Sequence, residues 1–248
     1  MAYTYAALRD GYTILRRKMV INADKRAEFN AIATKLYGNI SRYEQVEAIT
    51  GVPASIIAVI HNRESDANFR TYLGNGEPLT RKTQLVPQGR GPWPSWESGA
   101  IDALTYQGMN KVTPWTVERA CFELEKYNGF GYRRFAANDE DGLTDSPYLW
   151  AGTSIQDPGK YVADGKYNRS AYDTQLGCVP LLASIWALDP ALRLPMEGEP
   201  ARSTILPEPA IPPPRPRPMP PDYEPPISPP FGGFFDALVA FIRSLFKR

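Results

Sequence analysis

The stretch Pro53–Ser65, PASIIAVIHNRES, decides how the rest of the chain is read. It is apolar on nearly every side through Ile56, Ile57, Val59 and Ile60, the pattern of a helix buried in a core, and then turns abruptly polar. A short β-branched run also suits a strand. Pro53 at the first turn and two alanines favour helix, and an Asn-Gly pair at Asn75–Gly76 closes the region. A carboxylate at the polar end of such a helix sits between core and solvent. Desolvation there raises its pKa toward the value a general acid needs. Glu64 occupies that position; on spacing alone a solvated glutamate at a helix end, or one paired with Arg63 or Arg70, is the slightly better reading.

Helical spacing extends on both sides. From Asp24 the residues Phe29, Ile32, Ala33 and Leu36 recur at helical intervals, with Asp24 as an N-cap and Gly38 as a stop. Ser41–Ile49 repeats the pattern before a break at Gly51 and Pro53. Tyr72–Pro94 is rich in Gly, Pro and Asn and reads as a long loop or a small irregular hairpin. Helices are expected again at Trp96–Gln107 and at Pro114–Tyr127, where Thr113 is the expected N-cap and Val117, Ala120, Cys121 and Leu124 form a buried stripe. Phe130–Gln175 is loop-rich and aromatic, and Leu176–Leu188 reads as a last core helix. The fold class is therefore mainly α, with long irregular loops or a small β-hairpin.

The 248 residues include 43% hydrophobic and 12% aromatic residues, enough for a full core, and 25 prolines, which cluster. A formal net charge of +1 supplies no whole-molecule field toward nucleic acid, so no nucleic-acid partner is expected. Residues 1–25 lack an apolar run behind a basic start and a small-residue cleavage site, so no Sec leader is expected. Cys121 and Cys178 either pair or stay reduced, with free thiols preferred; two thiols and the single His61 make no zinc site, and no cofactor is called for.

From Pro207 to Pro230 about half the residues are proline, so extended polyproline II is expected. At ~3.1 Å per residue this spacer reaches on the order of 70 Å. Beyond it, Phe234, Phe235, Leu238, Val239, Phe241, Ile242, Leu245 and Phe246 fall on one arc of a helical wheel, with Asp236, Arg243, Ser244, Lys247 and Arg248 opposite. A helix of about 15 residues spans roughly 22 Å, short of the ~30 Å hydrocarbon core. Residues 234–248 therefore suit the surface of a membrane better than a crossing, with docking on the globular part or self-association as the alternatives. The organisation read from sequence is a domain at 1–205, a linker at 206–230 and an amphipathic helix at 231–248.

HNRESDANF, with the apolar helix before it, resembles the catalytic segment of the lysozyme-like superfamily that includes goose-type lysozymes and lytic transglycosylases. LEKYNGFGY at Leu124–Tyr132 is similar to their Tyr-Asn-Gly segment. The ordered combination HNRES, YLGNGEPL, VPQGRGP, YNGFGY and SPYLWAGT followed by GKYVADGKY resembles the lysozyme-like peptidoglycan hydrolases of phages, prophages and some bacteria, over roughly Asp24 to Leu188. The Gly-Leu-Met-Gln stretch usual in lytic transglycosylases is absent, and Thr83–Pro87 stands in its place in chain order.

The resemblance implies a lysozyme-like helical domain that takes peptidoglycan as substrate and cuts the β-1,4 bond between MurNAc and GlcNAc, as lysozyme or lytic transglycosylase. It makes Glu64 the acid and Tyr127, Asn128 and Gly129 cleft residues. A second carboxylate is sought among Glu77, Asp66 and Asp102, since most glycosidases use two; Glu77, in a Gly-rich loop able to close over the cleft, is preferred. Without one, the substrate's own N-acetyl or 6-hydroxyl group assists a single acid, with Thr83 and Gln84 positioning the nucleophile. Tyr72, Trp93, Tyr132, Tyr148 and Trp150 are candidate subsite walls, core packing being the plain alternative, and His61 is expected to orient or pack. Rival readings are a chitinase-like glycosidase and a non-catalytic wall-binding or particle component. Without a leader the enzyme would stay cytoplasmic in the producing cell and reach the periplasmic wall after release or delivery.

Overall fold

Pro53 ends an extended approach and the chain coils at once into the helix Ala54–Ser65, in which every residue from Ala54 to His61 is buried. Few other arrangements suit such a segment: it has no polar face to leave outside, so other helices must enclose it. Each of Ile56, Ile57, Val59 and Ile60 removed from water contributes roughly 1.5–3 kcal/mol. The computed structural model describes residues 3–138, 146–163 and 165–199. The Pro-rich linker and the C-terminal amphipathic helix expected from sequence lie outside the described residues.

The helices are α1 (Tyr5–Lys18), α2 (Arg26–Tyr37), α3 (Ile40–Thr50), α4 (Ala54–Ser65), α5 (Trp96–Tyr106), α6 (Val117–Asn128), the single turn α7 (Pro147–Trp150) and α8 (Cys178–Leu188), with short 3₁₀ segments at Met109–Lys111, Phe130–Asn138 and Pro190–Leu192. Strands β1 (Lys160–Ala163) and β2 (Lys166–Asn168) form an antiparallel hairpin with Tyr161 opposite Tyr167. The fold is mainly helical with this one small sheet among the described residues. Helices α3 and α8 pack on α4, α5 packs on α3, α2 on α8 and α4, and α7 bridges α6 and α8. No helix among the described residues is long and apolar enough to cross a membrane.

Several local expectations change. Asp24 does not cap α2: its N-cap is Lys25, with no side-chain cap bond. Gly38 does end α2 as its C-cap, but in a right-handed conformation at φ −59°, whereas Gly51 takes the left-handed conformation at φ 71° that ends α3. The N-cap of α6 is Thr116, whose hydroxyl accepts from the Arg119 amide at 3.1 Å, so the helix begins three residues beyond the expected Pro114. The hairpin forms at 160–168, inside a segment read as irregular, while Tyr72–Pro94 is a loop with the isolated bridge Thr71–Pro78 at its start and backbone bonds such as Tyr72 N to Glu77 O at 2.7 Å and Thr83 N to Arg90 O at 2.9 Å within it. Cys121 and Cys178 are free and buried.

Helix α1 has no counterpart among the expected elements. Thr4 caps it, Arg16, Arg17 and Lys18 fill its last turn where cations suit the helix dipole, and Tyr12 and Leu15 are buried against α6. The Tyr12 hydroxyl donates to Glu125 at 2.6 Å, and Arg133 donates to the same carboxylate at 2.6 Å. An acid buried in α6 thus holds α1 in place.

Gly177 fixes the approach of α8 to α7. Its amide donates to the Ala151 carbonyl at 2.9 Å, and a Cβ there would lie 2.6 Å from both Ala151 N and Leu149 O. Backbone cannot yield as a side chain does, so Gly177→Ala is expected to lower stability by about 1–3 kcal/mol. Thermal unfolding of the variant checks this; an unchanged midpoint would contradict so close a contact.

Candidate active site

Glu64 lies in the last turn of α4, and the helix ends abruptly after it. Asp66 (φ 52°) and Ala67 (φ 57°) are both left-handed, a conformation that costs about 1 kcal/mol or more at each residue with a Cβ. Such strain clusters where a fold must aim a side chain. The Gly-rich loop passes beside this end: a Cβ on Gly76 would be 3.8 Å from the Glu64 carbonyl oxygen.

The residue as a whole is half-buried, but its carboxyl is enclosed enough for burial to dominate its ionisation. Burial pushes the Glu64 pKa up to about 7, against the opposing pulls of the Tyr148 hydrogen bond and the Arg63 charge. The Tyr148 hydroxyl donates to Glu64 Oε1 at 2.9 Å across 84 residues of sequence. Tyr127 is a second neighbour: its own pKa is raised by burial and then by the charge of Glu64, and its hydroxyl donates to the Leu73 carbonyl at 3.0 Å. Helix α6 therefore brings Tyr127 near enough to Glu64 to feel its charge.

Arg63 completes the surroundings. It pairs with buried Asp173, donates to the Leu176 carbonyl at 3.3 Å, and places its guanidinium carbon 5.0 Å from the centre of the Tyr148 ring. Lys160 of β1 reaches Asp173 at 2.9 Å. Asp173, Lys160 and the contact of Tyr148 with Glu64 have no signal in local spacing. The quoted segment SPYLWAGT does contain Tyr148, but as a candidate wall rather than a partner of the acid.

The remaining expected residues divide. Asn128 is exposed at the end of α6, and Gly129, at φ 91°, turns the chain into the following 3₁₀ segment. Tyr132 is half-buried; burial first, with smaller influences, raises its pKa to about 12, and it meets Tyr161 and Tyr167 edge-on at 5.2 and 6.1 Å. It remains a wall candidate, together with the hairpin tyrosines. Trp150 does not: it is fully buried in the core and offers no face to a ligand. Tyr72 is also buried, stacked on half-buried Trp93 at 4.0 Å, and its hydroxyl donates to Asp102 at 2.9 Å.

Glu77 has a different task from the one expected. Its carboxylate accepts from the Gln84 amide at 2.9 Å, the Leu85 amide at 2.8 Å and Asn75 Nδ2 at 3.2 Å, which ties the Gly-rich loop together instead of leaving it free to close. Thr83 is buried, and its hydroxyl is used by the Pro87 carbonyl and by the Arg90 amide at 3.1 Å; the Gln84 side chain is exposed. Neither is presented as a positioner of a nucleophile. Asp102 forms an ion pair with Arg90, and Asp66 is exposed as the left-handed cap of α4.

His61 packs. It is fully buried, its Nδ1 lies 3.0 Å from the Tyr43 hydroxyl, its ring touches Phe69 and Trp96, and burial lowers its pKa to about 4. Among the described residues no cluster of three or more His, Cys, Asp or Glu side chains is arranged to hold a metal ion.

The raised pKa of Glu64 is also a stability statement. The folded state prefers the protonated form, so the contribution is fully present below the unfolded value of about 4.3 and is lost as pH rises through about 7. Glu64→Gln, which keeps an acceptor for Tyr148 and cannot ionise, is therefore expected to be more stable than wild type at pH 8 by on the order of 2 kcal/mol. The gap should narrow markedly by pH 5 and close below about pH 4. Urea unfolding of both proteins at the two pH values measures it, and equal stabilities at pH 8 would contradict a buried, protonated acid.

Comparison of the chain with protein-family models, with curated proteins and with solved structures gives no match.

Proposed function

We propose that the protein is a lysozyme-like enzyme that cleaves the glycan strand of peptidoglycan at the β-1,4 bond between MurNAc and GlcNAc, with Glu64 as the general acid. The observation that carries this reading is a carboxyl group at the end of a core helix whose pKa burial pushes up to about 7, with a phenol donating to it at 2.9 Å. Proton donation to a glycosidic oxygen requires such a group. The ordered sequence segments supply the substrate class.

In the mechanism, Glu64 protonates the leaving oxygen as the bond to the anomeric carbon breaks and positive charge develops on the sugar ring. The carboxylate so formed keeps the Tyr148 hydrogen bond and the nearby Arg63 charge, the two influences that favour its ionised form. It then takes the proton of the nucleophile, which restores the acid. With Glu77 and Asp102 committed to loop and ion-pair contacts, the reading that fits best uses one protein acid assisted by the substrate's N-acetyl or 6-hydroxyl group. Water as nucleophile leaves a reducing end, and the 6-hydroxyl leaves a 1,6-anhydro sugar. Tyr127, Tyr132 and the hairpin tyrosines are the aromatic surfaces offered to the sugar rings. The C-terminal segment 234–248 would bring the enzyme to a membrane surface on its route to the wall.

Clearing of purified Gram-negative sacculi tests the reading. Wild type is expected to clear them with a rate that falls as pH rises through about 7, and Glu64→Gln to lose at least 100-fold, the usual scale of general acid catalysis. Equal clearing by both proteins would remove Glu64 from the reaction. Cleavage of chitin oligomers in place of sacculi would move the substrate to an unsubstituted N-acetylglucosamine polymer, and binding without cleavage would favour a wall-binding module. A chain truncated at Pro207 is expected to keep its rate on sacculi and lose activity on intact cells; unchanged activity on cells would contradict the membrane role of the tail.

A further inference from the structure

Arg63 precedes Glu64 on α4, and its charge is closely managed. Its guanidinium pairs with Asp173, which is 6% exposed, and lies 5.0 Å from the centre of the Tyr148 ring. Asp173 is itself fixed: Lys160 Nζ donates to it at 2.9 Å, the Gln175 amide at 3.2 Å, and its carbonyl accepts from Gln156 Nε2 at 2.9 Å. Gln175 Nε2 returns to the Arg63 carbonyl at 3.4 Å. The segment Asp173–Gln175 is thus bound to the last turn of α4 through both backbone and side chain.

We infer that Asp173 is a positioning residue for Glu64: it holds Arg63 against the Tyr148 ring, fixing the phenol that donates to Glu64, and it offsets the cationic charge beside that carboxyl. This rests on reading Glu64 as the acid. Asp173 touches neither substrate nor the reacting atoms; it acts through Arg63 and Tyr148.

The groups around Glu64 come from several elements. Arg63 is on its own helix, Tyr148 on α7, Tyr127 on α6, Cys178 on α8, and Tyr72 lies next to Tyr127 in the loop after α4. Around Asp173 stand Arg63, Lys160 and Tyr132. Burial first, with smaller influences, pushes the tyrosines up and Cys178 to about 12, so these groups are neutral near pH 7. The charges that remain in this set are two cations and one carboxylate. Neutralising Asp173 leaves both cations uncompensated, which favours ionised Glu64; neutralising Lys160 does the opposite.

The opposite signs separate this role from simple support. A loosened site admits water and lowers the Glu64 pKa whichever residue is changed. Titration of the Glu64 carboxyl by ¹³C NMR in the full chain, with its resonance assigned through Glu64→Gln, reads the effect without any substrate. Wild type should titrate near 7. Asp173→Asn is expected lower, with about a tenfold change in the ratio of protonated to ionised Glu64, Lys160→Met higher, and Asp173→Glu close to wild type. An unmoved Glu64 in Asp173→Asn, or a downward shift in Lys160→Met, overturns the inference. Should Asp173→Asn fail to fold, Lys160→Met decides by its sign alone. A wild type that leaves sacculi uncut while these titrations move as stated would remove the functional reading and leave the positioning role standing.

Discussion

Everything at the site depends on a carboxyl group carried to the edge of the core by a helix with no polar side until its last turn. From Ala54 to His61 every residue is buried and the two polar side chains, Ser55 and His61, find partners inside, so the fold closes around α4 with α2, α3 and α8. The same enclosure reaches Glu64 and opposes its ionisation. Three features then follow from that one placement: the strained left-handed pair Asp66 and Ala67 that stops the helix, the phenol of Tyr148 that satisfies the carboxyl, and the ion pair that absorbs the charge of Arg63. An acid that resists ionising is a cost to the fold at neutral pH, and such costs collect at functional sites.

Much of the helical framework is legible in the sequence because its periodicity is local. The buried stripe of α6, the apolar run that opens α4 and the largely apolar α8 are set by residues within a few turns of each other. The failures have equally physical causes. Thr113 and Thr116 carry the same capping hydroxyl, and local spacing does not choose between them; the Arg119 amide bonds to Thr116. Residues 5–18 carry Tyr5, Leu8, Tyr12 and Leu15 at helical spacing, a signal strong enough to mark α1, but one that shows its meaning only once Glu125 and Arg133 are brought to Tyr12. The hairpin at 160–168 has strands of four and three residues, too short for alternation to stand out against an aromatic loop.

The site was legible in part for the same reason. Glu64 is marked by its own helix, and Tyr127 by a short motif at the end of another. What tunes Glu64 is not local: Tyr148 is 84 residues away and Asp173 lies 110 residues from Arg63. Residues chosen for chemical type alone fared less well. Glu77 and Thr83 have the right groups for a second carboxylate and a nucleophile positioner, yet a Gly-rich loop exposes many backbone amides, and these two side chains satisfy them. Trp150 has the right face for a sugar and spends it in the core.

The measurement that tests the central claim most directly is mass analysis of the fragments released from purified sacculi by wild type and by Glu64→Gln. The account predicts disaccharide-bearing muropeptides ending in MurNAc from wild type, reducing or 1,6-anhydro according to the nucleophile, and none above background from the variant. Peptide fragments with intact glycan strands, or the same disaccharide products from both proteins, would contradict it.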